Sequence, residues 1–322
     1  MAVYTAVSKD ELNDFLSLYD LGYLVDYAEI GEGIENSNFF VTLNANNLKP
    51  VENKQWVLTL FENLLEQQLP FFLELMSWLE KRGFSVPAPH FLKDKRLYSQ
   101  LNGKPAILVP RFSGRSLDNP EAIHCKRVGH FVAEMHQALK NCPQARKAPR
   151  NLVWMKGIER KLSQVLAPQE LNLVTESIDH YQHMLPQLDQ CSTGLIHADL
   201  FKDNVLYDGD KISGVIDFFH ACNDVLLFDL AVIANDWATH DDGSYDELKL
   251  TALIEGYQSV RGWEESEVLL WPHFLHLAAL RFWLSRLESR YLPGYQQAST
   301  QGDQTKSPDE LKRIILNLGF VG

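Results

Sequence analysis

The feature that most constrains the fold is a change of hydrophobic period near residue 110. Up to that point the chain reads as short alternating runs broken by turn residues. Tyr27 to Ile30, Phe39 to Leu43 and Trp56 to Phe61 are three strands, separated by the Gly31–Asn38 turn and by an Asn-rich loop. Leu97 to Leu101 and Ala106 to Phe112 add two more. One helix interrupts them at Leu69 to Lys81, with Phe72, Leu75, Met76 and Leu79 at helical spacing and Gly83 after its end. Ser8-Lys-Asp-Glu11 is a capping box that opens a short helix before the first strand. Beyond Ser113-Gly114-Arg115 the period becomes helical. Segments 121–140, 169–184, 245–260 and 265–290 are amphipathic helices, with Ile123, Val128, Phe131, Val132, Met135 and Leu139 inward in the first. Ser307-Pro-Asp-Glu310 caps a last helix. Short strand signals at 194–196, 205–207 and 214–218 surround one polar loop. The pattern is an α+β chain in two lobes: residues 1–110, a small antiparallel sheet with one helix, and residues 111–322, larger and mainly helical.

Composition narrows the function classes. The 322 residues are 45% hydrophobic and 22% charged, enough for a real core. A net charge of -12 repels phosphate backbones, which argues against nucleic acid as a partner but permits a nucleotide held by backbone amides and a metal. Cys125, Cys142, Cys191 and Cys222 form no Cys-x-x-Cys pair and read as reduced thiols. Met1 to Asp20 lacks a signal-peptide pattern, and no run approaches 18 apolar residues. The expectation is a cytoplasmic protein with a small-molecule substrate and no membrane partner, monomeric or homodimeric. The polar stretch 293–306 reads as a mobile loop.

The chemistry concentrates in His197-Ala-Asp199-Leu-Phe-Lys-Asp-Asn204, followed by Ile216-Asp217-Phe218 at the next strand end. Phosphoryl transfer needs a carboxylate beside the attacking hydroxyl and hard oxygen ligands for Mg²⁺ on the phosphates. Asp199 suits the first role as catalytic base; Asn204 and Asp217 suit the second. The protein-kinase pattern H-R-D-x-x-x-x-N then D-F-G has this spacing, with Ala198 and Phe219 here replacing its Arg and final Gly. Loop carboxylates that merely cap helices are the plainer alternative, but they leave the joint pattern unexplained. A second signal is Gly31-Glu-Gly33-Ile-Glu-Asn36-Ser37-Asn38, where glycines between two strands allow close backbone approach to ATP phosphates.

These residues resemble the aminoglycoside-phosphotransferase and choline-kinase superfamily, whose fold is bilobal and protein-kinase-like. Gly33–Phe40, Trp56–Glu62, Leu69–Phe72, Gly103–Ala106 and His197–Asn204 are further similar to the bacterial homoserine kinases of threonine biosynthesis. The resemblance covers essentially the whole chain. It implies ATP-dependent, Mg²⁺-assisted phosphorylation of the side-chain hydroxyl of L-homoserine. It makes Gly31, Gly33, Asn36, Ser37 and Asn38 the nucleotide loop, and Leu108 to Phe112, with Val109 and Arg111, the adenine hinge. Asp229 would brace the catalytic loop, and His136 reads as a packed structural histidine. One departure stands out. Kinases of this fold carry a strand Lys or Arg paired to a helix Glu; here Thr59 takes the strand position, with Lys54 before it, and Glu74 is the helix Glu.

A zwitterionic acceptor calls for a carboxylate near its ammonium and a guanidinium near its carboxylate. Asp236 and Arg281, or Arg286, are the candidates, with Trp237 and Trp283 as walls and His220, Asn223 and Asp224 at the mouth. Two readings compete: a kinase for another small alcohol (choline, ethanolamine, an amino sugar or a hydroxylated amino acid), or a nucleotide-binding regulator without catalysis, suggested by Thr59.

Overall fold

A computed structural model describes residues 4–31, 36–44, 53–188, 190–292 and 306–322. The chain divides into two compact units, the first running to Ser113 and the second beginning at Gly114.

The first unit is built on a five-stranded antiparallel sheet. Its strands are β1 (Tyr23–Glu29), β2 (Asn36–Asn44), β3 (Asn53–Phe61), β4 (Ser99–Leu101) and β5 (Lys104–Pro110), in the order β1-β2-β3-β5-β4. Helix α1 (Lys9–Leu16) has the expected capping box: Ser8 and Glu11 each cap the other's backbone N–H. Leu12, Phe15 and Leu16 of α1 pack with Phe39, Val41, Leu58 and Leu108 of the sheet in one buried cluster. Helix α2 (Leu69–Glu80) carries Pro70 in its first turn, and Gly83 beyond its end takes a positive φ of 87°.

The second unit contains α3 (Ala122–Leu139), α4 (Leu152–Leu162), α5 (Pro168–Leu188), α6 (Leu227–Trp237), α7 (Glu247–Gln258), α8 (Glu265–Tyr291) and α9 (Pro308–Leu318). Two small hairpin-like pairs interrupt them: β6 (Thr193–Ile196) with β9 (Cys222–Val225), and β7 (Val205–Asp208) with β8 (Lys211–Val215). Five details differ from the sequence reading. Helix α4 and strand β9 went unrecognised. The third strand of the polar region ends at Val215, before Asp217. Helix α5 runs on through Pro186. Ile123 is 43% exposed because the buried face of α3 turns through Cys125, Val128, Val132 and Met135. The stretch read as a mobile loop lies, save Lys306, outside the described residues.

Helices α3 and α7 meet backbone to backbone. A Cβ at Gly129 would run into the Leu253 carbonyl, and one at Gly256 into the Lys126 carbonyl. This approach brings Tyr257 of α7 against His136 of α3, which matters for the site below. On the other side of the unit, Phe320 stacks on His180 at 4.6 Å and on His273 at 4.5 Å, and the two imidazoles share a 3.0 Å hydrogen bond. His276 lies beside them, 1% exposed, and burial pushes its pKa down to about 3.

Two outcomes follow from this packing. Gly→Ala in a helix ordinarily stabilises by about 0.5–1 kcal/mol. At Gly256 the sign should reverse, to a loss of about 1–3 kcal/mol by urea denaturation, because the helix pair must separate. The second outcome concerns pH. The unfolded His276 titrates near 6.5 and the folded one near 3, so below 6.5 the unfolded chain binds the extra proton. Stability falls as pH drops below 6.5, and His276→Leu should show a shallower decline of Tm with pH than the parent.

Candidate active site

The site begins with an irregular loop between β6 and β7. A loop that must present a carboxylate, an amide and a charged strand end at once cannot use ladder hydrogen bonds. Its backbone groups need other partners. One residue supplies two of them. Asp229, in the first turn of α6 and fully buried, accepts from the His197 N–H through Oδ2 at 2.8 Å and from the Ala198 N–H through Oδ1 at 2.6 Å. Its Oδ2 also lies 3.0 Å from His136 Nε2. With Asp229 ionised, His136 donates through Nε2, and its Nδ1 accepts from the Tyr257 hydroxyl at 3.0 Å. The α3–α7 contact thereby ends on the loop. Ala198 sits at φ 68°, a left-handed conformation that a residue with a Cβ adopts only when its surroundings hold it there. The structure accordingly gives Asp229 and His136 the bracing and structural places read from the sequence.

His197 performs a second task. Its Nε2 donates to the Ile216 carbonyl at 2.9 Å, and its Nδ1 accepts from the Asp199 N–H at 3.3 Å. Accepting through Nδ1 while donating through Nε2 requires the neutral ring, and burial lowers its pKa in the same direction. The Ile216 N–H in turn donates to the Asn204 carbonyl at 2.9 Å. The loop and the strand end before Asp217 are thus tied at two points. Asn204 Nδ2 donates to the Asp199 carbonyl at 2.7 Å and to Asp199 Oδ2 at 3.0 Å, so the amide oxygen is the group Asn204 has left to offer a cation. Asp217 is exposed and left-handed, φ 64° and ψ 59°, which breaks the strand and starts a 3₁₀ turn at Phe218–His220. Asp199, Asn204 and Asp217 therefore belong to one connected backbone network. Among the described residues no cluster of three His, Cys, Asp or Glu side chains is gathered to hold an ion without help.

The expected acceptor residues separate into two groups. Arg281 is 5% exposed, pairs with Asp224 at 2.6 Å and stacks over Phe228 at 4.3 Å. It lines a small cavity with Ala198 and His220. Asp236 is already engaged: Oδ2 accepts from the Lys202 N–H at 2.7 Å, and Oδ1 lies 3.6 Å from Lys306 Nζ, which also pairs with Asp203 at 2.8 Å. Trp237 and Trp283, expected as pocket walls, are 2% and 0% exposed and belong to the core, since both lie on inward faces of α6 and α8. Arg286 is likewise no pocket residue. It bonds the Ser307 carbonyl and pairs with Glu310, holding the start of α9. Asn223 accepts from the Arg146 N–H. Sequence reading missed Lys306, which follows a polar tract with no periodicity, and Arg150, which precedes the unrecognised helix α4.

The first unit holds the expected nucleotide residues. Gly31 is exposed and at no positive φ, so nothing in its backbone demands glycine; Gly33 lies outside the described residues. Ser37 requires correction. Its fully buried hydroxyl accepts from the Tyr4 and Thr5 N–H groups and donates to Glu62 at 2.6 Å, so it serves the sheet and not a phosphate. Asn36 pairs with Phe61, and the Asn38 side chain accepts from the Thr59 hydroxyl at 2.8 Å across the β2–β3 ladder. Glu74 is on the exposed face of α2, and Glu62 pairs with Lys104 at 3.2 Å. Val109 is buried on β5; Arg111 is exposed and stacks over Phe40 at 3.8 Å.

Residues 26–263 match the model of the phosphotransferase enzyme family. The chain belongs to this family. A homoserine kinase of Neisseria meningitidis is 40% identical over 99% of the chain and 100% of its own length; one of Methylobacillus flagellatus is 38% identical over 98% and 94%. A homoserine kinase of Pseudomonas aeruginosa is 39% identical over 89% and 88%. Among solved structures, an amicoumacin kinase in complex with AMP-PNP and Ca²⁺ has a TM-score of 0.69 at 15% identity, covering 97% of this chain and 93% of that one. A spectinomycin phosphotransferase has a TM-score of 0.64 at 14% identity, with coverages of 96% and 94%. The phosphotransferase fold is shared throughout, and membership makes this chain an enzyme. No helix among the described residues is long and apolar enough to cross a membrane.

Asp229→Asn tests the brace. It replaces one acceptor with a donor facing an N–H, and should cost about 3 kcal/mol of folding stability. It should also lower kcat more than it raises KM, because Ala198 and Asp199 lose their fixed backbone. An unchanged urea midpoint would remove Asp229 from this role.

Proposed function

We propose that the chain phosphorylates the side-chain hydroxyl of L-homoserine with ATP, giving O-phospho-L-homoserine and ADP. The observation that carries the reading is the Asp199–Asn204–Asp217 network on a loop braced by Asp229, in a chain that matches several homoserine kinases end to end at 38–40% identity. Asp199 receives the hydroxyl proton as the acceptor oxygen bonds the γ-phosphorus and the bond to ADP breaks. Its N–H bond to His197 and its carboxylate bond to Asn204 fix its direction before substrate arrives, so orientation is prepaid in folding.

Asn204 through its amide oxygen and Asp217 through its carboxylate would hold Mg²⁺. Two hard oxygen donors suit an ion that keeps water and phosphate oxygens in its shell, and its chemistry would be to neutralise charge on the transferred group. Gly31, Gly33, Asn36 and Asn38 remain the nucleotide-loop candidates, with the β5 backbone at Val109 and Arg111 for adenine. Thr59, whose hydroxyl donates to Asn38, supplies no cation at the strand position that carries one in related folds. Backbone amides and the metal then carry the phosphate charge. Residues 1–110 would serve the nucleotide and 111–322 the chemistry and the acceptor, with Arg281 and Asp236 on the acceptor side.

The test is ADP release from purified protein with MgATP and a panel of L-homoserine, D-homoserine, L-serine, L-threonine, choline, ethanolamine and kanamycin. Turnover should be specific to L-homoserine. Asp199→Ala should lower kcat by about 10²–10⁴-fold while leaving the thermal unfolding midpoint near that of the parent. Unchanged turnover in that variant would overturn the mechanism, and turnover of another alcohol alone would overturn the substrate.

A further inference from the structure

Beside the catalytic loop lies the small cavity that Arg281 lines. Arg150 from the segment before α4, Ala198 of the loop, His220 of the 3₁₀ turn, Phe228 of α6, and Arg281 and Phe282 of α8 face it. Ala198, which lines it, immediately precedes Asp199 in the loop.

The walls have a distinct charge balance. Arg281 spends one Nη on Asp224, yet its Nε is buried and has no hydrogen-bond partner among the described residues. An unmet buried donor on a guanidinium points to an acceptor that arrives from elsewhere. Arg150 lies 5.8 Å from the Phe282 ring centre and 6.0 Å from that of Trp154, and it makes no ion pair with a described carboxylate. His220 does not offset this positive charge: burial first, and the neighbouring Arg150 next, push its pKa down to about 3, leaving it neutral. Two guanidiniums and one carboxylate thus surround an apolar floor. Guanidinium forks match a planar carboxylate, and stacking over Phe228 holds the Arg281 fork in its plane. The cation groups are wrong for an ammonium, which a cage of aromatic faces without arginines would serve.

We propose that this cavity receives the carboxylate of the acceptor amino acid, with Arg150 and Arg281 as its donors, and that it sets the preference for an amino acid over the matching amino alcohol. The inference rests on the homoserine reading. In L-homoserine three carbons separate the carboxylate from the hydroxyl, which lets the one end sit among the arginines while the other reaches Asp199.

The experiment compares L-homoserine with 3-amino-1-propanol, the same alcohol without its carboxylate, as substrate or, where turnover is too slow, as competitive inhibitor. The parent enzyme should favour L-homoserine strongly in kcat/KM. Arg150→Gln should raise KM for L-homoserine by about ten- to a hundredfold, the worth of a charged hydrogen bond, with a smaller effect on kcat. The constant for 3-amino-1-propanol should stay within about twofold of the parent. Arg150→Lys should recover part of the loss. Arg281→Lys should act in the same direction; should that buried variant fail to fold, Arg150 alone decides. Equal changes for both compounds, or an unchanged KM for L-homoserine, would overturn the carboxylate site and leave the homoserine reading standing. A parent enzyme inert to L-homoserine but active on another alcohol would overturn that reading and this inference with it.

Discussion

The geometry of the candidate active site hangs on one buried carboxylate. Asp229 takes the N–H groups of His197 and Ala198, and it does so from the first turn of α6, where the helix dipole favours its charge. Because the carboxylate is fully buried, it tolerates no vacancy among its donors. His136 fills the remaining direction, and Tyr257 holds His136. The chain of dependence therefore runs from a helix crossing at Gly129 and Gly256, through Tyr257 and His136, to a left-handed Ala198. A site whose parts must agree to fractions of an ångström is here supported by rigid helices and not by the loop's own preferences.

The same logic explains how Asp217 reaches its place. Strand β8 ends at Val215, and the Ile216 carbonyl and N–H are both used, one by His197 and one by Asn204. These two bonds replace the ladder partners that the strand lost on ending. They fix the backbone that presents Asp217, whose positive φ then turns the chain away. Neutral His197 is the hinge of this arrangement: it needs one donor and one acceptor nitrogen, and burial keeps it in that form.

Much of this was legible in the chain. The change of period near residue 110 predicted the sheet-then-helix order, because side-chain spacing is a local property of each element. The spacing of His197, Asp199, Asn204 and Asp217 pointed to a phosphotransferase loop, since candidate groups on one short loop and the adjoining strand end keep their spacing in the sequence. Asp229 was read as a brace. Less visible were α4, which follows a Pro- and Arg-containing stretch with weak periodicity, and β9, whose four residues pair with β6 across an intervening loop and hairpin. Ser37 looked like a phosphate-loop hydroxyl by its neighbours, but its burial against Glu62 depends on where residues 4 and 5 return. Trp237 and Trp283 looked like pocket aromatics by type, and only packing decides which side of a helix meets a cavity.

The amino-acid sequence by itself determined the class of the fold and the reaction and singled out a candidate loop for it, because each is encoded in residues close together along the chain. Tertiary structure decided the partners. That Asp236 is held by Lys202 and Lys306, that Arg281 faces Asp224, and that Arg150 joins it at one cavity all depend on contacts between residues far apart in the chain. The physical reason is that a charge's role is set by the groups within a few ångströms of it after burial, and local spacing carries no record of those.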